Sequence, residues 1–125
     1  MTKSQAPIAK QKPQYNLEDR TLEFAKDVVN LIKQLPRNIA NLELSSQVIR
    51  SAGSIGANYR EANDSLGKKD FLMRLRISRK EAKETYYWLQ LLLHSNPPLK
   101  EFMNPLLDEC SQLTRILSSI INKTT

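Results

Sequence analysis

The apolar residues of this chain recur at steps of three and four over four separate stretches. In the first, from about Glu18 to Gln34, Ala25, Val28, Ile32 and Leu35 form a stripe that Phe24 and Leu31 widen. Asn16 precedes it as a candidate cap and Pro36 follows it as a stop. The second runs from about Asn41 to Ser65, with Leu44, Val48, Ala52, Ile55, Tyr59, Ala62 and Leu66 in register and Gly67 as its stop. In the third, from about Lys69 to His94, the in-register positions are Phe71, Leu75, Ser78, Ala82, Thr85, Leu89 and Leu92, and Asn96-Pro97-Pro98 ends the pattern. The fourth carries Leu99, Met103, Leu106, Cys110, Leu113, Leu117 and Ile120. Pro105 falls inside it, so the expected helix opens with Asn104 as cap and Pro105 as its first residue, after a separate turn over 99–102. No stretch alternates with period two. Four such segments with short connections predict an all-α fold, an antiparallel up-down-up-down four-helix bundle spanning 16–123.

Residues 1–15, MTKSQAPIAKQKPQY, break this pattern. They hold two prolines, three lysines (Lys3, Lys10, Lys12) and no acid, the composition of a disordered basic tail. The chain of 125 residues suits one domain. One cysteine excludes an internal disulfide framework and favours a reducing compartment. With no leader-like apolar segment and no membrane-length apolar run, the expected location is cytoplasmic, away from membranes.

Helix two contains an anomaly, RSAGSIGANYRE at residues 50–61. An interior glycine costs a helix roughly 1 kcal/mol relative to alanine, yet the register passes through Gly53 and Gly56 without a slip. Ala52 and Gly56, and Gly53 and Ala57, are spaced by four, which makes a thin face that another element can approach closely. Two explanations stand: a tight helix-helix contact within one bundle, or a contact between subunits. Beside that face runs a polar seam of Ser51, Ser54, Asn58, Glu61 and Ser65. Helix three has a flank of Arg74, Ile77, Glu81, Glu84, Trp88 and Leu91, whose Trp88 either closes the core or meets a neighbour. Its acids have Arg50, Arg60 and Arg74 as candidate partners.

Charge adds the functional hint. The net charge is +6, and residues 68–83 hold seven basic residues against Asp70 and Glu81. Lys69, Met73, Arg76, Lys80, Lys83 and Tyr87 step along one helical stripe, with Arg79 nearby. Such a row is either a solvated face or a contact for nucleic-acid phosphates, with Tyr87 able to stack on a base. Catalytic chemistry finds no support. Glu81-x-x-Glu84 lacks the histidines of a di-iron site, His94 sits alone at a helix end, Cys110 lies on the apolar seam, and no glycine-rich phosphate loop occurs. No enzyme activity, metal or cofactor is expected.

The blocks YNLEDRTLEFAKDVVNLIKQLP, VIRSAGSIGANYREAN and KKDFLMRLRISRKEAKETYYWLQLL together resemble the four-helix bundle family encoded in intervening sequences of bacterial 23S ribosomal RNA genes, over about residues 15–123. SIGANYREA followed by KKDF is the most specific part. The chain is also similar to the accessory variability determinant proteins of diversity-generating retroelements. The resemblance implies a bundle that self-associates as a homopentamer and has no known catalytic residues. It also implies a basic surface for RNA or DNA or, alternatively, a ring surface for a partner protein such as a reverse transcriptase. In a ring, Ala52, Gly53, Gly56, Ala57, Asn58, Glu61 and Trp88 are the residues for subunit contact or close helix packing. Lys69, Arg76, Arg79, Lys80, Lys83 and Tyr87 are those for nucleic acid.

Overall fold

A computed structural model describes residues 16–125; the proposed basic tail at 1–15 lies outside the described residues. The chain forms α1 (Leu17–Gln34), α2 (Ile39–Asn63), α3 (Lys68–Ser95) and α4 (Lys100–Thr124), with a 3-10 turn at Pro97–Leu99 before α4. Each helix packs on its sequence neighbour, most extensively α2 on α3, and α1 also meets α4.

Local chemistry sets the boundaries. Asn16 caps α1 by accepting from the Asp19 amide at 2.8 Å. Asn38 caps α2 in the same way, accepting from the Asn41 amide at 2.8 Å. Gly67 plays the opposite part to the one its position suggests. The second helix ends at Asn63, and Gly67 is the extended N-cap of α3. Leu66 therefore leaves the apolar register and stands fully exposed in the turn.

The start of α4 also departs from expectation. The helix opens at Lys100 and carries Pro105 as its sixth residue. Beginning there places Met103, which is fully buried, in register with Leu106, Cys110 and Leu113. Full burial of such a side chain contributes about 1.5–3 kcal/mol. The N–H that Pro105 lacks would have bonded the Glu101 carbonyl. With the clash of its ring against that carbonyl, an interior proline costs about 3 kcal/mol, which burial of Met103 offsets in large part.

The core joins Phe24, Val28 and Leu31 of α1 to Val48 and Ile55 of α2, Leu75, Leu89 and Leu92 of α3, and Leu113 and Leu117 of α4. In α1 the buried stripe is Thr21, Phe24, Val28 and Leu31, rotated from the expected one; Ala25, Ile32 and Leu35 are half-buried at its edge. At the other end of the chain Ile121, rather than Ile120, is the buried residue.

Two polar clasps orient these helices. Arg20 of α1 donates through Nε (2.7 Å) and Nη2 (2.9 Å) to both carboxylate oxygens of Glu109 on α4, and again through Nη2 to Gln112 at 2.8 Å. This two-pronged geometry is the strong form of an arginine-carboxylate pair. At the N-terminal end of α2, Asn41 and Asn96 exchange side-chain hydrogen bonds at 3.0 and 2.8 Å, and Asn41 Nδ2 also reaches the Pro36 carbonyl. Both amides are buried, and these bonds satisfy them.

Candidate nucleic-acid interface

The small residues of α2 divide between two environments. Ala52 and Gly56 are buried inside the subunit. A Cβ at Gly56 would lie 2.8 Å from Thr21 Oγ1 and 3.2 Å from Thr21 Cβ. Gly56 is therefore where α1 approaches α2, the intramolecular form of close packing. Gly53 is different: no heavy atom lies within 4 Å of its would-be Cβ, and both it and Ala57 are exposed.

Ser51 and Asn58 of the polar seam face α3. Thr85 Oγ1 lies 2.8 Å from Ser51 Oγ, and Ser78 Oγ donates to the Ile55 carbonyl at 2.7 Å; all these polar atoms are buried. Arg74 Nη1 donates to Asn58 Oδ1 at 3.2 Å. Arg50 bonds both Glu81, at 3.4 Å, and Glu84, while Trp88 Nε1 donates to Glu84 Oε2 at 3.1 Å. The Trp88 indole N–H, with Arg50 beside it, holds the Glu84 carboxyl below the usual glutamate range. Arg60 pairs with Glu18 of α1 instead of an α3 acid, and Glu61 is exposed with no ion pair among the described residues. Trp88 packs half-buried against the core, and its flank supplies the polar contacts that join α3 to α2.

This seam matters for the basic face because it occupies the two C-terminal acids of α3. With Glu81 and Glu84 bonded to Arg50, the cations on the far side of the helix form no ion pairs with them, although the charge of Lys80 still reaches Glu84. Lys69, Arg76, Lys80 and Lys83 are all exposed, and none forms an ion pair among the described residues. Lys69 and Lys83 are separated by about 21 Å along the axis at 1.5 Å per residue. Tyr87 ends the row, 55% exposed, with its ring edge-on to Trp88 at 5.1 Å between centroids and 70° between planes. Arg79 leaves the row: it is half-buried and its Nη1 donates to Ser118 Oγ of α4 at 3.2 Å. Met73 stays exposed among the cations.

Sequence reasoning missed the contribution of α4. Arg115 projects beside Lys83, and the two line a groove with Tyr86, Ser111 and Thr114. The available signal was the spacing of Ser111, Thr114 and Ser118 around Arg115, one flank of an otherwise apolar-seamed helix. His94 is exposed near the end of α3. Cys110 is buried, with Sγ 3.1 Å from the Ala82 carbonyl, and burial pushes its thiol up to about 12. No helix among the described residues is long and apolar enough to cross a membrane.

Comparison with known proteins agrees with this architecture. Residues 14–119 match the profile of the 23S rRNA-intervening sequence protein family. A solved structure from Bacteroides thetaiotaomicron VPI-5482, described as a protein with unknown function from the S23 ribosomal protein family, is 36% identical. It superposes with a TM-score of 0.75 over 85% of this chain and 98% of the other. No curated protein matches the chain. With four helices and a family profile spanning nearly all of the described residues, the chain belongs to the 23S rRNA-intervening sequence protein family.

Proposed function

We propose that this protein is a non-enzymatic RNA-binding bundle of up-down-up-down topology that acts as an oligomer, in its family form a homopentamer. The observation that carries the proposal is the row Lys69, Arg76, Lys80 and Lys83, exposed on one face of α3 and in no ion pair among the described residues. Cations already paired within a fold gain little from a phosphate. Unpaired ones release condensed counterions when they neutralise it. The row recognises charge and spacing, since nothing in it is arranged to read base edges. Tyr87 offers one stacking platform. A ring would repeat the row around its circumference and raise the effective affinity by multivalency.

Fluorescence anisotropy with structured ribosomal RNA fragments and unrelated RNA, over a range of salt concentrations, tests this. Lys80→Glu combined with Lys83→Glu should lower affinity and flatten the log-log salt slope by about 1.4–1.8, at 0.7–0.9 per phosphate contact. An unchanged affinity and slope would reject the row as the binding face.

A second reading, a scaffold for a protein partner such as a reverse transcriptase, draws on a different surface. Leu42, Ile49, Gly53 and Ala57 lie along one outward stripe of α2, with Leu42 53% and Ile49 42% exposed. Self-association would cover this stripe in the oligomer. A stoichiometric partner recovered after nuclease treatment would favour the scaffold.

A further inference from the structure

The groove between α3 and α4 joins cations of both helices. It encloses about 270 Å³ and is lined by Lys83, Tyr86, Ser111, Thr114 and Arg115, with no carboxylate. The groove between α1 and α4 is lined instead by Asp27 and Glu101 among apolar residues. Neither Lys83 nor Arg115 forms an ion pair among the described residues. The hydroxyls of Ser111 and Tyr86 likewise make no hydrogen bond among the described residues, whereas Thr114 is committed to the Cys110 carbonyl at 3.0 Å. Two unpaired cations and two unspent hydroxyl donors thus converge on one depression. One helical turn away, Arg79 reaches across to Ser118 and ties the walls together.

We infer that this groove is a phosphodiester-binding subsite, where a nucleic-acid strand lying along α3 turns at Lys83 onto α4. The inference rests on the RNA-binding reading and adds to it a second helix and a direction. Lys83 belongs to both surfaces, so a backbone following the α3 row meets the groove without a gap in positive charge. Arg115 supplies a planar set of donors suited to phosphate oxygens. Ser111 and Tyr86 supply the neutral donors that orient the group. A straight row on α3 alone has no use for donors on the α4 side. A strand that bends there does.

The test compares Arg115→Ala, Ser111→Ala and the pair Lys69→Ala with Arg76→Ala against the unmodified chain, by anisotropy with one RNA at 50 and 200 mM salt. Arg115 and Lys69 are exposed, so these truncations spare the core, and circular dichroism verifies it. Loss of one phosphate contact should shrink the salt-induced drop in affinity about threefold over that range. Arg115→Ala should show this shrinkage. Ser111→Ala should weaken binding with the salt slope intact, because it removes a neutral donor. If the Lys69/Arg76 variant weakens binding while Arg115→Ala and Ser111→Ala equal the unmodified chain, the groove is overturned and the α3 row stands. If the unmodified chain binds no RNA at 50 mM salt, both fall.

Discussion

Gly53 and Gly56 lie three residues apart on one helix, and replacing each by alanine should change stability in opposite directions. Either substitution removes the helix penalty of glycine, about 1 kcal/mol. At Gly53 nothing opposes that gain, because no heavy atom lies within 4 Å of the added Cβ. Gly53→Ala should therefore stabilise by about 0.5–1 kcal/mol. At Gly56 the new methyl would sit 2.8 Å from Thr21 Oγ1 and 3.2 Å from Thr21 Cβ. Thr21 has little room to retreat. It is 1% exposed, and its hydroxyl is held by the Leu17 and Glu18 carbonyls at 2.9 and 3.1 Å. Overpacking of this kind costs about 1–3 kcal/mol, which exceeds the propensity gain and leaves a net loss near 1 kcal/mol. The two variants should differ by about 2 kcal/mol, or roughly 10 °C in Tm for a domain of this size. Thermal and urea unfolding followed by circular dichroism, at one protein concentration, measures the difference. Thr21→Ala combined with Gly56→Ala removes the nearest clashing atom and should recover part of the loss, with a coupling of about 0.5–3 kcal/mol. A Gly56→Ala variant as stable as Gly53→Ala would refute the close-contact argument. A destabilised Gly53→Ala would refute its open surroundings.

Two further outcomes follow from the titratable groups. Cys110 ionises less readily in the fold than its ordinary value of 9.0, with burial as the main cause. The folded state therefore holds its proton longer than the unfolded state. The Cys110 contribution should be constant below about pH 9 and fall from there towards 12, and Cys110→Ala should remove that alkaline dependence in urea titrations. Thiol reagents at pH 8 should modify the native protein far more slowly than the denatured one. Glu84 is shifted in the opposite sense, first by the Trp88 indole N–H and then by Arg50. Its contribution is present above the ordinary glutamate value and lost as pH falls through the depressed folded one. Trp88 is the single tryptophan, so its emission should titrate in that acidic window, and Glu84→Gln should abolish the transition.

Periodicity alone carries the fold class, because steps of three and four are the geometry of an amphipathic helix and leave one consistent buried face. On α3 the expected in-register residues from Leu75 to Leu92 are all buried, and the basic stripe is displaced to the opposite face by the same period. Asn16 was legible as a cap because its hydrogen bond is local, spanning three residues. Features set by neighbours across space were not. Gly53 and Gly56 look alike in sequence, and only the approach of Thr21 from α1 separates a packing glycine from an exposed one. Pro105 argued for a helix start on local grounds, but burial of Met103 in the shared core moved that start to Lys100. Arg79 lies beside the basic row in sequence, yet Ser118 draws it towards α4. Arg115 lies 32 residues from Lys83, and only the packing of α4 on α3 brings them to one groove. Periodicity encodes which face of a helix is buried; which side chains meet across two helices depends on the relative axial position of both, and that is fixed when the core packs.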